Sequence, residues 1–210
     1  MACAICQARR PKRLCPGVRG EICSVCCGTE REVTVSCPLD CAYLRDARKH
    51  EKGPQPETVP NQDIHVTEQT LAQNQDLLAF LGEALAAAAL ETPGAVDFDV
   101  RDALEALIRT YRTRQSGLYY DSLPENAVAA AVYRHVEEAL ERFRKEETAR
   151  LGVTRTRDAD VLGLFVFLHR LELNRNNGRR RGRAFIGVLC AVSGPDPDDN
   201  GHEESPLLLP

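Results

Sequence analysis

Eight cysteines stand between Cys3 and Cys41, and Cys190 alone lies outside that stretch. Their spacing is Cys3-x2-Cys6-x8-Cys15-x7-Cys23-x2-Cys26-Cys27-x9-Cys37-x3-Cys41. Thiolates are favoured zinc donors, and two of them two residues apart on a tight knuckle supply half of a tetrahedron. Iron–sulfur ligands come in tighter runs, such as two consecutive x2 spacings, which this stretch lacks. Eight thiolates fill two tetrahedra. Cys3, Cys6, Cys15, Cys23, Cys26, Cys27, Cys37 and Cys41 are therefore the candidate metal ligands, and two structural zinc ions are the expected cofactor. A catalytic zinc keeps an open position, usually with His or carboxylate among its ligands, so no catalytic role is expected here. Residues 1–50 hold too little apolar material for a core of their own, and metal binding would provide their folding free energy.

The start, Met1-Ala2-Cys3-Ala4-Ile5-Cys6, has neither a basic n-region nor an apolar h-region, unlike a secretory signal. No apolar run approaches the length of a membrane span. The expected location is the reducing cytoplasm, where clustered thiols bind metal more often than they form disulfides.

The stretch resembles the two-zinc cross-brace fingers of the HIT and MYND types. Those fingers begin with a Cys-x2-Cys knuckle, continue with Cys-Pro about eight residues later, and then have a Cys-Ser-x2-Cys step. Here Cys3-x2-Cys6, Cys15-Pro16 and Cys23-Ser24-Val25-Cys26-Cys27 follow that pattern. The resemblance implies one site from Cys3, Cys6, Cys23 and Cys27. It implies another from Cys15, Cys26, Cys37 and Cys41, with His50 as a weaker substitute. The sequence departs from the pattern where Gly17 and Val18 replace a partner cysteine, and where Cys37-Pro38-Leu39-Asp40-Cys41 replaces the closing histidines.

Charge divides the chain unevenly. Residues 1–50 carry nine Lys/Arg against five Asp/Glu, residues 51–150 ten against eighteen, and residues 151–190 eight against three. The last twenty residues carry five acids and no base. Two basic stretches, residues 9–13 and 175–183, invite a nucleic-acid reading. Two zinc ions on eight thiolates would add a charge of about −4, cancelling the basic surplus of residues 1–50. The arginines Arg175, Arg179, Arg180, Arg181 and Arg183 suit phosphate or carboxylate oxygens. The plainer reading is a solvated loop, or one paired with the acidic helices of residues 61–150.

The elements that must position these residues are mainly helical. After Gly53-Pro54-Gln55-Pro56 and Pro60, Thr67 caps an expected helix to about Glu91, with Leu71, Leu78, Leu81 and Leu85 on one face. Others are expected from Asp97 or Asp99 to Ser116, from near Pro124 to Arg150, from Asp158 to Leu173 and from Ala184 to Val192. The helix over 158–173 is apolar on nearly every side, which marks it as the most buried. The expected fold is mainly α: a cysteine-rich zinc finger over 1–50, a linker over 51–66, a four- or five-helix bundle over 67–192, and a disordered acidic tail over 193–210.

Other candidates read as structural. Tyr111, Tyr119 and Tyr120, with Arg112 and Arg114, are expected to cover one end of the bundle. His169 reads as a satisfied core histidine and Cys190 as an inert buried thiol. There is no Gly-rich phosphate loop, nucleophile elbow or His-Glu-x2-His. The expectation is a non-enzymatic zinc-binding protein, a protein-interaction module or adaptor whose partner is another protein. The alternative is a nucleic-acid-associated protein using the basic loops 9–13 and 175–183.

Overall fold

Short polar side chains set several of the helix starts. The computed structural model describes residues 2–51, 53 and 58–193. The expected tail therefore lies, beyond Ser193, outside the described residues, as does part of the expected linker. In the cysteine-rich segment, β1 (Arg13–Cys15) pairs antiparallel with β2 (Gly20–Ile22), Arg13 opposite Ile22. Two short helices follow, α1 (Ser24–Glu30) and α2 (Ala42–Arg48). Its buried cluster contains Ile22 and the thiols of Cys3, Cys23 and Cys26. Ile5 packs against this cluster and Leu44 of α2 is also buried, so the aliphatic core of the segment is small.

The body begins where Thr67 Oγ1 accepts the Thr70 amide at 3.1 Å and opens α3 (Glu68–Gln73). The expected single helix from Thr67 to Glu91 is in fact broken. At Asn74 the chain leaves helical geometry, and the Asn74 side chain donates to Thr70 O at 3.0 Å before α4 (Gln75–Glu91) continues. Asparagine offers the backbone a local alternative to the helix, while Leu71 and Leu78 carry the apolar period across the break. Pro93 and Gly94, the latter at φ +82°, then reverse the chain.

Helix α5 (Asp97–Gln115) starts with Asp99 Oδ2 accepting the Val96 amide at 2.9 Å. Helix α6 (Ala127–Leu151) starts after Asn126, whose Oδ1 accepts the Val128 amide at 2.9 Å. Pro124 stands just ahead of this cap and not in the first turn. Gly152, at φ +76°, ends α6 in the left-handed conformation that suits glycine. Helices α7 (Asp158–Arg175) and α8 (Ala184–Ser193) complete the body.

Helix α5 packs on α7 and α6, and α4 packs on α6 and α8. As its sequence predicts, α7 is buried around most of its circumference, including Val161, Leu162, Leu164, Phe165 and Val166. Tyr111 meets Phe165 edge-on with ring centroids 5.4 Å apart. Between α5 and α7, Arg101 donates to both oxygens of fully buried Glu172 at 2.7 and 3.1 Å. The carboxylate of Asp97 caps α8 from outside, accepting the amides of Phe185 and Ile186 at 3.0 and 3.1 Å. Among the described residues, no helix is long and apolar enough to cross a membrane.

Two expectations change here. Tyr111 is buried as expected, whereas Tyr119 and Tyr120, beyond the end of α5 at Gln115 and the left-handed Gly117, are largely exposed, with Tyr119 at the rim of a cavity beside Tyr111. His169 is buried but neither ring nitrogen finds a hydrogen-bond partner. Its nearest acid, Glu105, is 3.5 Å from Nε2. Cys190 is half-buried, and burial pushes its thiol pKa up, which disfavours the reactive thiolate.

Candidate metal centre

The first knuckle, Cys3 to Cys6, is folded back on itself by the Gln7 amide, which donates to Cys3 O at 2.8 Å, and is held to β2 by the Ala4 amide on Glu21 O. This places it over the start of α1. There the Sγ atoms of Cys3, Cys6, Cys23 and Cys26 all lie within 4.8 Å of one another. Among the described residues this is the one group of three or more Cys, His, Asp or Glu ligand atoms clustered in this way. Zinc–sulfur bonds of about 2.3 Å require sulfurs about 3.8 Å apart in a tetrahedron, so the quartet fits a zinc ion with small adjustments.

The protein prepares these thiols for a cation. Two backbone amides point at sulfur, Cys23 N to Cys3 Sγ at 3.2 Å and Cys26 N to Cys23 Sγ at 3.4 Å. Burial alone would raise the Cys3 pKa, but amides of Cys6, Cys23 and Ile5 outweigh it and bring the pKa down to about 6. Amides of Ala8 and Arg9 lower that of Cys6. Cys26 goes the other way, pushed up to about 12 by burial and by its thiol neighbours. Four thiolates this close repel one another, and a divalent cation is what allows the last of them to ionise. In turn the sulfurs of Cys23 and Cys6 hold Arg9 more firmly protonated.

The resemblance placed Cys27, not Cys26, in this group. Helix geometry decides otherwise. Successive helical residues point about 100° apart, so Cys26 and Cys27 on α1 face different neighbours. Cys26 turns inward beside Cys23 and is buried, whereas Cys27 turns towards β1, where Arg13 Nη1 donates to its Sγ at 3.2 Å.

The other four candidates, Cys15, Cys27, Cys37 and Cys41, line a single small cavity of about 20 Å³ with Ile22 and Leu44. Burial raises the Cys37 pKa, and the nearby charges of Glu32, Cys15 and Cys41 raise it further. Arg13 also lies over the Tyr43 ring, 4.5 Å from its centroid, at the edge of this cavity. His50 is exposed and does not line it. All nine cysteines are free thiols.

The arginine-rich loop is neither solvated throughout nor paired with the acidic helices. It closes on the cysteine-rich segment. Arg179 donates to Arg31 O at 2.6 Å and pairs with Glu51 at 3.0 Å, and Arg181 donates to Ser36 Oγ at 2.7 Å. At the centre of this seam sits Glu32, fully buried. Its Oε1 accepts from Arg48 at 2.9 Å and from the Arg183 amide at 3.0 Å, and its Oε2 accepts from Asn177 at 2.7 Å. Glu32, Arg48 and Asn177 carry no motif that would mark them in the sequence. Their roles follow from a long-range meeting that spacing does not encode.

No protein-family model, curated protein or solved structure matches this chain.

Proposed function

We propose that this chain is a non-enzymatic zinc-binding protein whose cysteine-rich segment, fixed against the helical body, acts as a protein-interaction module or adaptor. The observation that carries the reading is the Cys3, Cys6, Cys23 and Cys26 quartet, whose four sulfurs suffice to fill a tetrahedron around one ion. The proposal extends to a second structural zinc held by Cys15, Cys27, Cys37 and Cys41, which line one cavity. The two ligand sets then interleave along the chain, in the manner of the HIT and MYND cross-brace fingers that the sequence resembles. Closed structural zinc sites shape a surface for binding and do no chemistry of their own.

The distribution of arginines supports a protein partner over nucleic acid. Arg9 and Arg13 lie beside thiols, and Arg179 is spent on Arg31 O and Glu51. A nucleic-acid interface would instead align free cations along a backbone path.

Elemental analysis of the purified full chain tests the metal, and close to two zinc ions per chain are expected. One or none sinks the two-site form, and iron with visible absorbance replaces zinc by a cluster. Capture experiments with the full chain and with Cys3→Ser/Cys6→Ser test the partner, with both protein and nucleic acid identified. Recovery of RNA or DNA in a salt-sensitive, arginine-dependent manner would replace the adaptor reading.

A further inference from the structure

We infer that the cleft between the cysteine-rich segment and the helical body is a docking site for an acidic peptide segment of a partner protein, gripped by Arg181 and Arg183. The inference rests on the protein-interaction reading above and assigns the chemistry of the partner.

The cleft has a volume of about 310 Å³. Ser36, Cys37 and Pro38 form one wall, and Leu90, Pro93 and their neighbours at the end of α4 form the other. Arg181 and Arg183 also line it, and no carboxylate does. The acids around it are committed elsewhere: Glu32 accepts from Arg48, Asn177 and the Arg183 amide, Asp97 accepts the α8 amides, Asp99 accepts from Val96 and Asn126, and Glu91 faces His135 at 3.5 Å. Among the described residues neither Arg181 nor Arg183 forms an ion pair. Arg181 spends one donor on Ser36, and the Arg183 Nε is buried with no hydrogen-bond partner. A buried guanidinium nitrogen without an acceptor is costly unless an acceptor arrives.

The two arginines are held ready. Glu32 fixes both backbones, its carbonyl accepting the Arg181 amide at 2.7 Å and its carboxylate accepting the Arg183 amide at 3.0 Å. Binding then does not have to order the loop that carries the charges, which lowers its entropic cost. Paired guanidiniums favour carboxylate oxygens with bidentate geometry. Pro38, Ala89, Leu90 and Pro93 give the cleft apolar surface beside its polar groups, and Leu90 is largely exposed, so the segment that fits carries acidic residues beside aliphatic ones. A single-stranded nucleic acid fits less well, because the cleft has no aromatic platform on which a base could stack.

The test is fluorescence anisotropy of zinc-loaded full chain with a short fluorescein-labelled peptide alternating Glu with Leu, against its Gln-for-Glu counterpart. The Glu peptide should bind, and Arg181→Gln/Arg183→Gln should weaken it by about tenfold or more. Arg180→Gln serves as control, because Arg180 is exposed on the same loop but does not line the cleft, and it should bind as the parent does. Equal loss with Arg180→Gln would reduce the effect to diffuse charge and overturn the inference. So would equal binding of the Gln peptide, or tighter binding of an RNA oligonucleotide through the same two arginines. Two other outcomes would also overturn the inference. If neutralising Asp196, Asp198, Asp199, Glu203 and Glu204 to their amides raises peptide affinity tenfold or more, the chain's own acid-rich end fills the cleft. If the arginine double variant loses zinc instead of peptide, the arginines serve only to balance thiolates. A double variant that keeps its zinc and its protein partners sinks the cleft alone. Absence of any captured protein sinks the underlying reading.

Discussion

The carboxylate of Glu32 accepts a hydrogen bond of 2.7 Å from Asn177, 145 positions further along the chain. With Arg48 on its other oxygen and the Arg183 amide beside it, this fully buried acid ties the cysteine-rich segment to the loop between α7 and α8. Removing one partner of a buried, multiply bonded charge costs about 3–5 kcal/mol, because the remaining groups lose their counter-charge away from water. Glu32→Ala should therefore destabilise the zinc-loaded protein by about that amount in urea unfolding. Amide exchange should accelerate at Arg181 and Arg183, which donate to Glu32. A loss below about 1 kcal/mol would mean that the seam holds without Glu32.

The division of adjacent cysteines between two sites is open to chemical test. If Cys26 belongs with Cys3, Cys6 and Cys23, then Cys26→Ser should leave those three open to alkylation in zinc-loaded protein, read by mass spectrometry. Cys27→Ser should leave them protected and expose Cys15, Cys37 and Cys41. The reverse pattern would restore the partition that the family resemblance implied.

Much of the body is legible in the sequence because helix periodicity and end signals agree. The helix expected from Asp97 or Asp99 to Ser116 is found at Asp97–Gln115, and the one from Asp158 extends to Arg175. The break at Asn74 is hidden, because Leu71 and Leu78 keep the apolar period on both sides of it. The choice of Cys26 over Cys27 is likewise hidden, since spacing treats adjacent cysteines alike and only the angle between helical neighbours separates them. The seam is the least legible part. Nothing in the sequence marks Glu32, Asn177 reads only as part of a turn, and the arginines of residues 175–183 read as a solvated loop or one paired with the acidic helices, whereas the structure brings Glu32, Glu51 and Ser36 against them.

Arg101 and Glu172 form a second buried pair, at 2.7 Å, inside the α5–α7 interface. Burial raises the Glu172 pKa, against which Arg101 acts to keep the carboxylate charged. Arg101→Ala should cost about 3–5 kcal/mol by stranding that charge, while Arg101→Met/Glu172→Leu should recover most of the loss by removing both. Thermal or urea unfolding of the two variants decides this, and a double variant no more stable than Arg101→Ala would assign the loss to packing.

Asp97 makes stability depend on pH in a direction unusual for a carboxylate. Burial raises its pKa from 3.8 to about 6, despite the two α8 amides that favour its charged form. The folded state therefore holds its proton more tightly than the unfolded chain. The resulting stabilisation is fully present below pH 3.8 and is lost as pH rises through about 6. The shift of about 2 units corresponds to about 3 kcal/mol across that window. Other acids run the opposite way, as Asp63 does beside Arg112, so the contribution is isolated by difference. The stability of the parent relative to Asp97→Asn should fall as pH rises from about 4 to 7. In the parent, the Asp97 carboxyl carbon should titrate by NMR with a midpoint near 6. A midpoint below about 4 would mean that the α8 amides outweigh burial, and the sign of the pH effect would reverse.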